Sequence, residues 1–273
     1  MLKALDINRS SYYEWKQRKP SKQQLRKEEI TALVKLVHQE SHEIFGAPKI
    51  ANILRDMGHV LSTKYVSNIM RVNGWRAHYV KPYVITTKNC DFTSKLKNIL
   101  NRNFNPKAPN AVWVTDITYI WTKTDGFAYL TSVMDLYSRK IIAWTLSDTM
   151  RVEDVLGCIK IAKNRREFTQ ALIIHSDRGS QFTSDEYFEL TEGMKTSFSN
   201  KGNPWDNAPI EAFHALIKRE WFKKYQPLNF QHAYDLTFEY IEGFYNTTRP
   251  HSHCDGISPN QFEMLFKFRT CIA

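Results

Sequence analysis

Three acidic residues stand within or just after apolar, β-like or turn-forming runs of the sequence. Asp116 lies inside the strongly β-like run 111–120, Asp177 closely follows a short apolar run, and Glu211 follows the turn-forming stretch 201–207. A carboxylate inside or at the end of a buried strand is costly unless it is paired or binds a cation. Three such residues, far apart in sequence, predict oxygen ligands that the fold brings together around divalent metal.

The chemistry of these ligands narrows the choice of metal. Hard carboxylate oxygens suit Mg²⁺ or Mn²⁺ rather than zinc. Two such ions roughly 3.5–4 Å apart can activate an attacking oxygen and stabilise the leaving one during phosphoryl transfer. Each acid also has an ordinary explanation: a hydrogen bond within a sheet for Asp116, a local turn for Asp177, and the positive end of a helix for Glu211. The three together favour the metal site.

The elements that must position these acids begin at residue 112, where the pattern becomes typical of strands. The pair Asp125-Gly126 predicts a hairpin. Three antiparallel strands followed by alternating helices and strands predict a mixed α/β sheet. The predicted strands are Val112–Trp121, Phe127–Asp135, Lys140–Ser147 and Ala171–Ile174, the predicted helices are Arg151–Arg166, Ser184–Gly193 and Ala208–Lys224, and 199–207 is a predicted loop.

The sequence pattern over residues 1–76 predicts helices. A short helix is predicted near residues 10–15, a longer one over about 21–41, one from Pro48 to Met57, and one after Ser62. The last two, joined by a tight turn at Gly58, form a helix-turn-helix pattern. In that arrangement four residues of the second helix would face outward, as groove-reading residues do, namely Lys64, Tyr65, Asn68 and Arg71.

The net charge of +10 is unevenly distributed along the chain. Residues 1–110 contain 20 Lys and Arg against 8 Asp and Glu, whereas residues 111–273 contain 18 against 20. The basic excess therefore belongs to the first two-fifths of the chain. This asymmetry predicts a polyanion-binding arm attached to a near-neutral body.

Composition excludes several classes of protein. The 42% hydrophobic and 13% aromatic residues can fill a folded core. No stretch approaches the ~18 apolar residues of a membrane span, and the start lacks a secretory signal. The four cysteines form no Cys-x-x-Cys pair, so we expect a reducing cytoplasm and neither a disulfide framework nor a zinc site at His38 and His42. The absence of a Walker-type loop argues against ATP use.

Three blocks of sequence carry a family resemblance: 113–119 around Asp116, 175–182 around Asp177, and 199–211 ending at Glu211. They resemble the catalytic blocks of bacterial insertion-sequence DDE transposases, and more narrowly the catalytic OrfB product of the IS3 family, whose core is similar to retroviral integrases. Further matches cover nearly the whole chain, at 9–13, 45–50, 245–252 and 256–259.

The resemblance implies a ribonuclease-H-like mixed sheet core preceded by an all-α helix-turn-helix region. It divides the chain into a DNA-binding region (1–76), a basic linker (77–110), the catalytic core (111–225) and a helical C-terminal extension (226–273). We expect that extension to be helical over 230–245 and irregular afterwards, and the linker to hold a short helix near 92–100.

The resemblance also implies roles for single residues. Asp116, Asp177 and Glu211 would be the catalytic, metal-binding triad, holding Mg²⁺ (or Mn²⁺) as two ions when DNA is bound. Lys218, seven residues after Glu211 and on the same helix face, would contact transposon-end DNA. Arg9 and Lys201 are further DNA-contact candidates. Water or a DNA 3′-hydroxyl would be the nucleophile.

Partners follow from the same resemblance. They are double-stranded DNA at transposon ends and target, further copies of the chain on that DNA, and a DNA-binding product of an upstream reading frame or a fusion with it. The expected location is the nucleoid in the bacterial cytoplasm.

Some alternatives remain open. Asp206 is the second choice for the position of Glu211, and His214 is expected at the surface or behind the metal ligands. A structure-selective nuclease of the same fold would cut without joining. A helix-turn-helix regulator with an inactive core would bind DNA without cutting it.

Overall fold

The computed structural model describes residues 8–17, 19–77, 96–168 and 171–272. These residues belong to two units, divided between positions 79 and 80. Within the described ranges, no helix has the length and apolar character needed to cross a bilayer.

The first unit is built from helices whose ends follow the capping residues in the sequence. The Ser21 side chain accepts a hydrogen bond from the backbone of Gln24, and Ser62 accepts one from Tyr65. Buried aliphatic side chains of three helices, such as Val34, Leu54 and Val66, form the core. The helices are α1 (Arg9–Gln17), α2 (Lys22–Glu40), α3 (Ala47–Asp56) and α4 (Thr63–Val72), which confirms the helices predicted from residue 21 onward.

The second unit contains a five-stranded mixed sheet in the order β3-β2-β1-β4-β5. The first three strands form an antiparallel meander, and β4 and β5 add to the other edge of β1 in parallel. The mixed α/β sheet predicted from the sequence is confirmed. The strands are β1 (Val112–Thr122), β2 (Gly126–Asp135), β3 (Ile141–Ser147), β4 (Ile173–Ser176) and β5 (Lys195–Phe198).

Helices cover both faces of this sheet. On one face, Trp113 of β1 belongs to a buried apolar cluster with Val155 and Ile159 of α5. On the other face, α7 packs against β1, and its wider-turned continuation at 218–222 is followed by α8. The helices of this unit are α5 (Val152–Arg165), α6 (Asp185–Leu190), α7 (Ala208–Ile217), α8 (Lys223–Tyr225), α9 (Phe230–Phe238, continued with wider turns over 239–245) and α10 (Pro259–Ile272).

Three local predictions were wrong. The strand predicted over 171–174 lies at 173–176, because its polar residues His175 and Ser176 pair within the sheet. Strand β5 was missed, because its four residues, three of them polar, form a strand only by pairing with β4. The tail after residue 245 is not irregular throughout, since Ser258 accepts a hydrogen bond from the backbone of Gln261 at the start of α10.

Part of one further prediction lies outside the described residues. The short helix expected near 92–100 begins in a stretch that the structure does not describe, and its described part, 96–100, is not helical.

Candidate active site

The parallel pairing of β1 with β4 places two of the predicted acids at corresponding positions on neighbouring chain segments. Strand β1 pairs in parallel with β4 up to Val114 opposite His175. Asp116 and Asp177 each lie two residues beyond this last pair, on neighbouring chain segments. The alternation of β1 places Asp116 on the face that α7 covers.

A glycine next to Asp177 allows the chain to turn closely around its carboxylate. The Gly179 backbone N–H donates to Asp177 Oδ1 over 2.9 Å. A Cβ atom at position 179 would lie 3.0 Å from that same oxygen. The backbone thus fixes one carboxylate oxygen at the carboxyl end of β4.

Glu211 reaches the same region from the first turn of α7. Burial and the negative charges of Asp116 and Asp177 raise the pKa of Glu211 to about 7. Burial of the carboxyl and the charge of Asp116 likewise raise the pKa of Asp177 to about 6. Because Asp177 is exposed as a whole residue, solvent screens part of this repulsion. The three carboxylates are therefore close enough for their charges to interact unfavourably.

A buried histidine holds Asp116. His214 Nδ1 lies 3.4 Å from Asp116 Oδ2, and its Nε2 lies 3.3 Å from the hydroxyl of Ser132. Ser132 is the cross-strand partner of Asp116 in β2, so one ring spans both. Of the two positions expected for His214, the one at the surface was wrong, since the residue is only 5% exposed, and the one behind the acids agrees with its contact to Asp116. Its helical spacing of three from Glu211 was the signal for a place beside the acids.

Lys218 stands next to this group. Its Nζ lies 4.4 Å from the ring centroid of Tyr119. Burial lowers the pKa of Lys218, and the charge of Asp116 acts in the opposite direction. A half-buried cation thus lies near the acids without forming a short ion pair with them in the described residues.

The side chains of the three acids have not converged on a single point. Across the described ranges, no three His, Cys, Asp or Glu side chains are close enough together to form a ready metal cage. The contacts above give the reason, since Asp116 points to His214 and Asp177 to the Gly179 backbone, and like charges repel.

Comparisons with known proteins show the family of the chain. Models of the Integrase core domain match residues 106–204 and 192–259, and a model of the HTH-like domain matches 25–83. The transposase for insertion sequence element IS904 of Lactococcus lactis is 36% identical, over 90% of this chain and 98% of the relative. Transposase InsF for insertion sequence IS3A of Escherichia coli K12 is 32% identical, over 96% and 92%.

The chain belongs to the IS3-family transposases. It is a DDE transposase with a ribonuclease-H-like integrase core and a helix-turn-helix-like region ahead of it. The catalytic core domain of BIV integrase is a solved structure of similar fold, with 17% identity, a TM-score of 0.44, and coverage of 59% of this chain and 98% of that one.

In this transposase, the carboxylate of Asp206, the second choice for the position of Glu211, is held by contacts within the chain. Its carboxylate accepts hydrogen bonds from Arg102 Nε at 2.6 Å, from Asn98 at 2.9 Å and from the backbone of Asn200 at 2.9 Å. Burial raises the pKa of Asp206, but these hydrogen bonds outweigh it and lower the pKa. Asp206 thus ties the loop before Glu211 to residues 98–102.

A second histidine supports the end of β4 in the transposase. His175 is fully buried, with its two ring nitrogens 2.9 Å from the Ser197 hydroxyl and 3.1 Å from the Ser199 hydroxyl. Burial lowers its pKa to about 4, so the ring is neutral at pH 7. These contacts hold the strand end two residues before Asp177.

The predicted DNA-contact residues belong to both units of the chain. In α4, Lys64, Asn68 and Arg71 are exposed and Tyr65 is half-buried, as expected for an outward face. Lys201 is half-buried in the loop before α7. Arg9 begins α1, but its side chain lies outside the described residues.

Proposed function

We propose that this transposase cleaves DNA at the ends of its element and joins the cut strand to target DNA in a Mg²⁺-dependent reaction. The observation that carries the proposal is the convergence of Asp116, Asp177 and Glu211 at one edge of the sheet, where burial and the charges of the neighbouring acids raise the pKa of the last two. A fold keeps such repulsion where a cation relieves it.

The donors at this edge fit a hard divalent cation. Asp116, Asp177 and Glu211 supply carboxylate oxygens, which suit Mg²⁺ or Mn²⁺, and we assign two ions to the site when DNA is bound. Such ions, when bound, supply Lewis-acid stabilisation of the phosphate charge and lower the pKa of coordinated water. The acids must turn inward from their present contacts to bind them.

The neighbouring residues have distinct tasks in this proposal. His214 orients Asp116 through its contact with Oδ2, and the Gly179 backbone orients Asp177. Lys218 offers a positive charge to a phosphate of the DNA end. Water or a DNA 3′-hydroxyl attacks in line, so no covalent protein nucleophile is required.

We further propose how the protein meets its DNA. The outward face of α4 enters the major groove of the transposon end, and Arg9 and Lys201 add backbone contacts. Several copies act together on DNA in the bacterial cytoplasm, with or without a DNA-binding product of an upstream frame.

The division of the chain into four parts, with boundaries at residues 76, 110 and 225, stays a prediction. The contact residues proposed here are Lys64, Tyr65, Asn68, Arg71, Arg9, Lys201 and Lys218.

The substitution Asp177→Asn tests the reaction. We expect cleavage of element-end DNA in Mg²⁺ to fall roughly a thousandfold, because one cation ligand loses its charge. The matched control is Asp185→Asn, an exposed aspartate at the start of α6, which should cleave at the normal rate. Folded Asp177→Asn that still cleaves would refute the proposal.

A joining assay separates transposase chemistry from a simple nuclease. Pre-cleaved ends with a free 3′-hydroxyl are mixed with target DNA and Mg²⁺. We expect joined products from the natural protein and none from Asp177→Asn. Cutting without joining would favour the structure-selective nuclease, and neither activity would favour the regulator.

A further inference from the structure

The hairpin of β1 and β2 carries three exposed aromatic side chains on one face of the sheet. Tyr119, Trp121 and Phe127 are 61%, 59% and 49% exposed. The Phe127 ring lies edge-on to the other two, with centroid distances of 4.8 Å to Trp121 and 5.5 Å to Tyr119. Leaving three large rings in water is costly unless they have a binding partner.

These rings line a cleft of about 560 Å³, which we call the aromatic cleft. Lysines surround the rings, and no acidic side chain is among the described residues that line the cleft. The cleft is therefore apolar in its centre and positive at its rim. Its rings and charges come from Tyr119, Trp121, Phe127, Lys123, Lys218 and Lys223.

The sheet leaves this cleft open and holds its walls in place. In the described residues β4 pairs with β1 only along 112–114, so the edge of β1 beyond that point has no strand beside it. The hairpin tip is fixed to the segment after α8, where Lys123 N donates to Pro227 O over 3.1 Å and Thr124 N to Leu228 O over 2.9 Å. A ligand thus meets a preformed surface.

Lys218 joins the aromatic cleft to the acids. Its ammonium lies over the Tyr119 ring. The negative charge of Asp116 also acts on Lys218 and opposes the lowering of its pKa by burial. A strand whose phosphate contacts Lys218 near the acids would therefore have its adjoining nucleotides next to the cleft.

We propose that the aromatic cleft binds unpaired nucleotides of a DNA end, with a base stacked on Trp121 and the lysines against phosphates. This rests on the proposed function, because it takes DNA as the substrate. Aromatic rings stack on bases only when the base faces are free, which a paired duplex does not allow. The positive rim matches a phosphate backbone.

The test compares two DNA duplexes of the same length, one paired to its end and one with mismatched, splayed terminal nucleotides. Binding to the full-length protein is measured without Mg²⁺. We expect the natural protein to bind the splayed end about tenfold more tightly, and Trp121→Ala to lose this preference while keeping its affinity for the paired duplex. Trp121→Phe should retain most of the preference, because a ring remains.

The control is Phe268→Ala, which removes a ring of similar exposure (60%) from α10, outside the cleft, and should leave the preference unchanged. Unchanged circular dichroism verifies that each variant is folded. Full preference in Trp121→Ala, or equal binding of both duplexes by the natural protein, would overturn the inference. So would a loss of self-association in Trp121→Ala with DNA binding intact, since the cleft would then bind a second copy.

A different outcome would contradict the proposed function without contradicting the stacking site. A protein that prefers splayed ends in this assay but keeps cleaving DNA as Asp177→Asn would contradict the assigned catalytic site and leave the stacking site standing.

Discussion

Two sets of acidic residues in the described part of 96–272 meet opposite electrostatic surroundings. Glu220 is buried and receives two hydrogen bonds from Arg249, at 2.8 Å and 2.6 Å, and one from the Tyr240 hydroxyl at 2.8 Å. Asp177 and Glu211 instead lie near each other and near Asp116, and their pKa values rise to about 6 and about 7.

The difference separates acids that hold the fold from acids kept for a ligand. A buried carboxylate matched by an arginine is satisfied within the chain, so it needs no further partner. A carboxylate placed beside other carboxylates is destabilising until a cation arrives. The arginine-paired set anchors the wider-turned segment 218–222, and thus Lys218, whereas the repelling set forms the candidate site.

The largest effect is expected from breaking the arginine-paired set. Glu220→Gln leaves the Arg249 charge buried without a compensating carboxylate, and both side chains are under 10% exposed. We expect the free energy of unfolding to fall by about 3–5 kcal/mol. Urea unfolding followed by circular dichroism measures this change.

Two further variants sharpen that result. Glu239→Gln alters an exposed acid in the same C-terminal segment and should change stability by less than about 0.5 kcal/mol. The double variant Glu220→Met with Arg249→Met removes both charges and should recover part of the loss. Equal stability of Glu220→Gln and the natural protein would mean that the pair is not a structural anchor.

The sequence predicted the repelling set better than it predicted the paired set. The β-like run around Asp116 and the start of α7 before Glu211 follow from local residue pattern. Their approach to one sheet edge was a hypothesis, because it depends on the long-range pairing of β1 with β4. Asp206 remained a second choice as a metal ligand in the sequence, because its partner Arg102 lies 104 residues away. Only the folded chain shows that contact.

Short elements limited the fold prediction in the same way. Strand β5 has four residues, and its pairing with β4 supplies a preference that its own sequence lacks. Similarly, the role of His214 depends on Ser132, which lies 82 residues earlier in the chain and across the sheet from Asp116.

His214 offers a second way to test the repelling set. His214→Phe keeps a ring in the buried position but loses the contacts to Asp116 and Ser132. We expect cleavage to fall about 10–100-fold, with a higher Mg²⁺ concentration needed for half of the maximal rate. A lower rate with an unchanged Mg²⁺ requirement would mean that His214 acts through packing alone.

The smallest expected effect is the change of the free energy of unfolding with pH. The pKa of Asp177 is raised from 3.8 to about 6 and that of Glu211 from 4.5 to about 7, so the folded protein holds protons that the unfolded chain has released. The free energy of unfolding therefore falls as pH rises from about 4 to about 7. The double variant Asp177→Asn with Glu211→Gln should not show this fall in the free energy of unfolding. At pH 8 we therefore expect its Tm to be about 2–4 °C higher than that of the natural protein, which corresponds to roughly 1 kcal/mol after solvent screening.

Added Mg²⁺ should restore the thermal stability that the natural protein loses at high pH. At pH 8 both carboxylates are charged, so added Mg²⁺ should raise the Tm of the natural protein and leave that of the double variant unchanged. At pH 5 protons occupy the same oxygens, so the Mg²⁺ effect should shrink. An equal rise in Tm for both proteins at pH 8 would place the cation elsewhere, and the contrast between the paired and repelling acids would then lose its functional meaning.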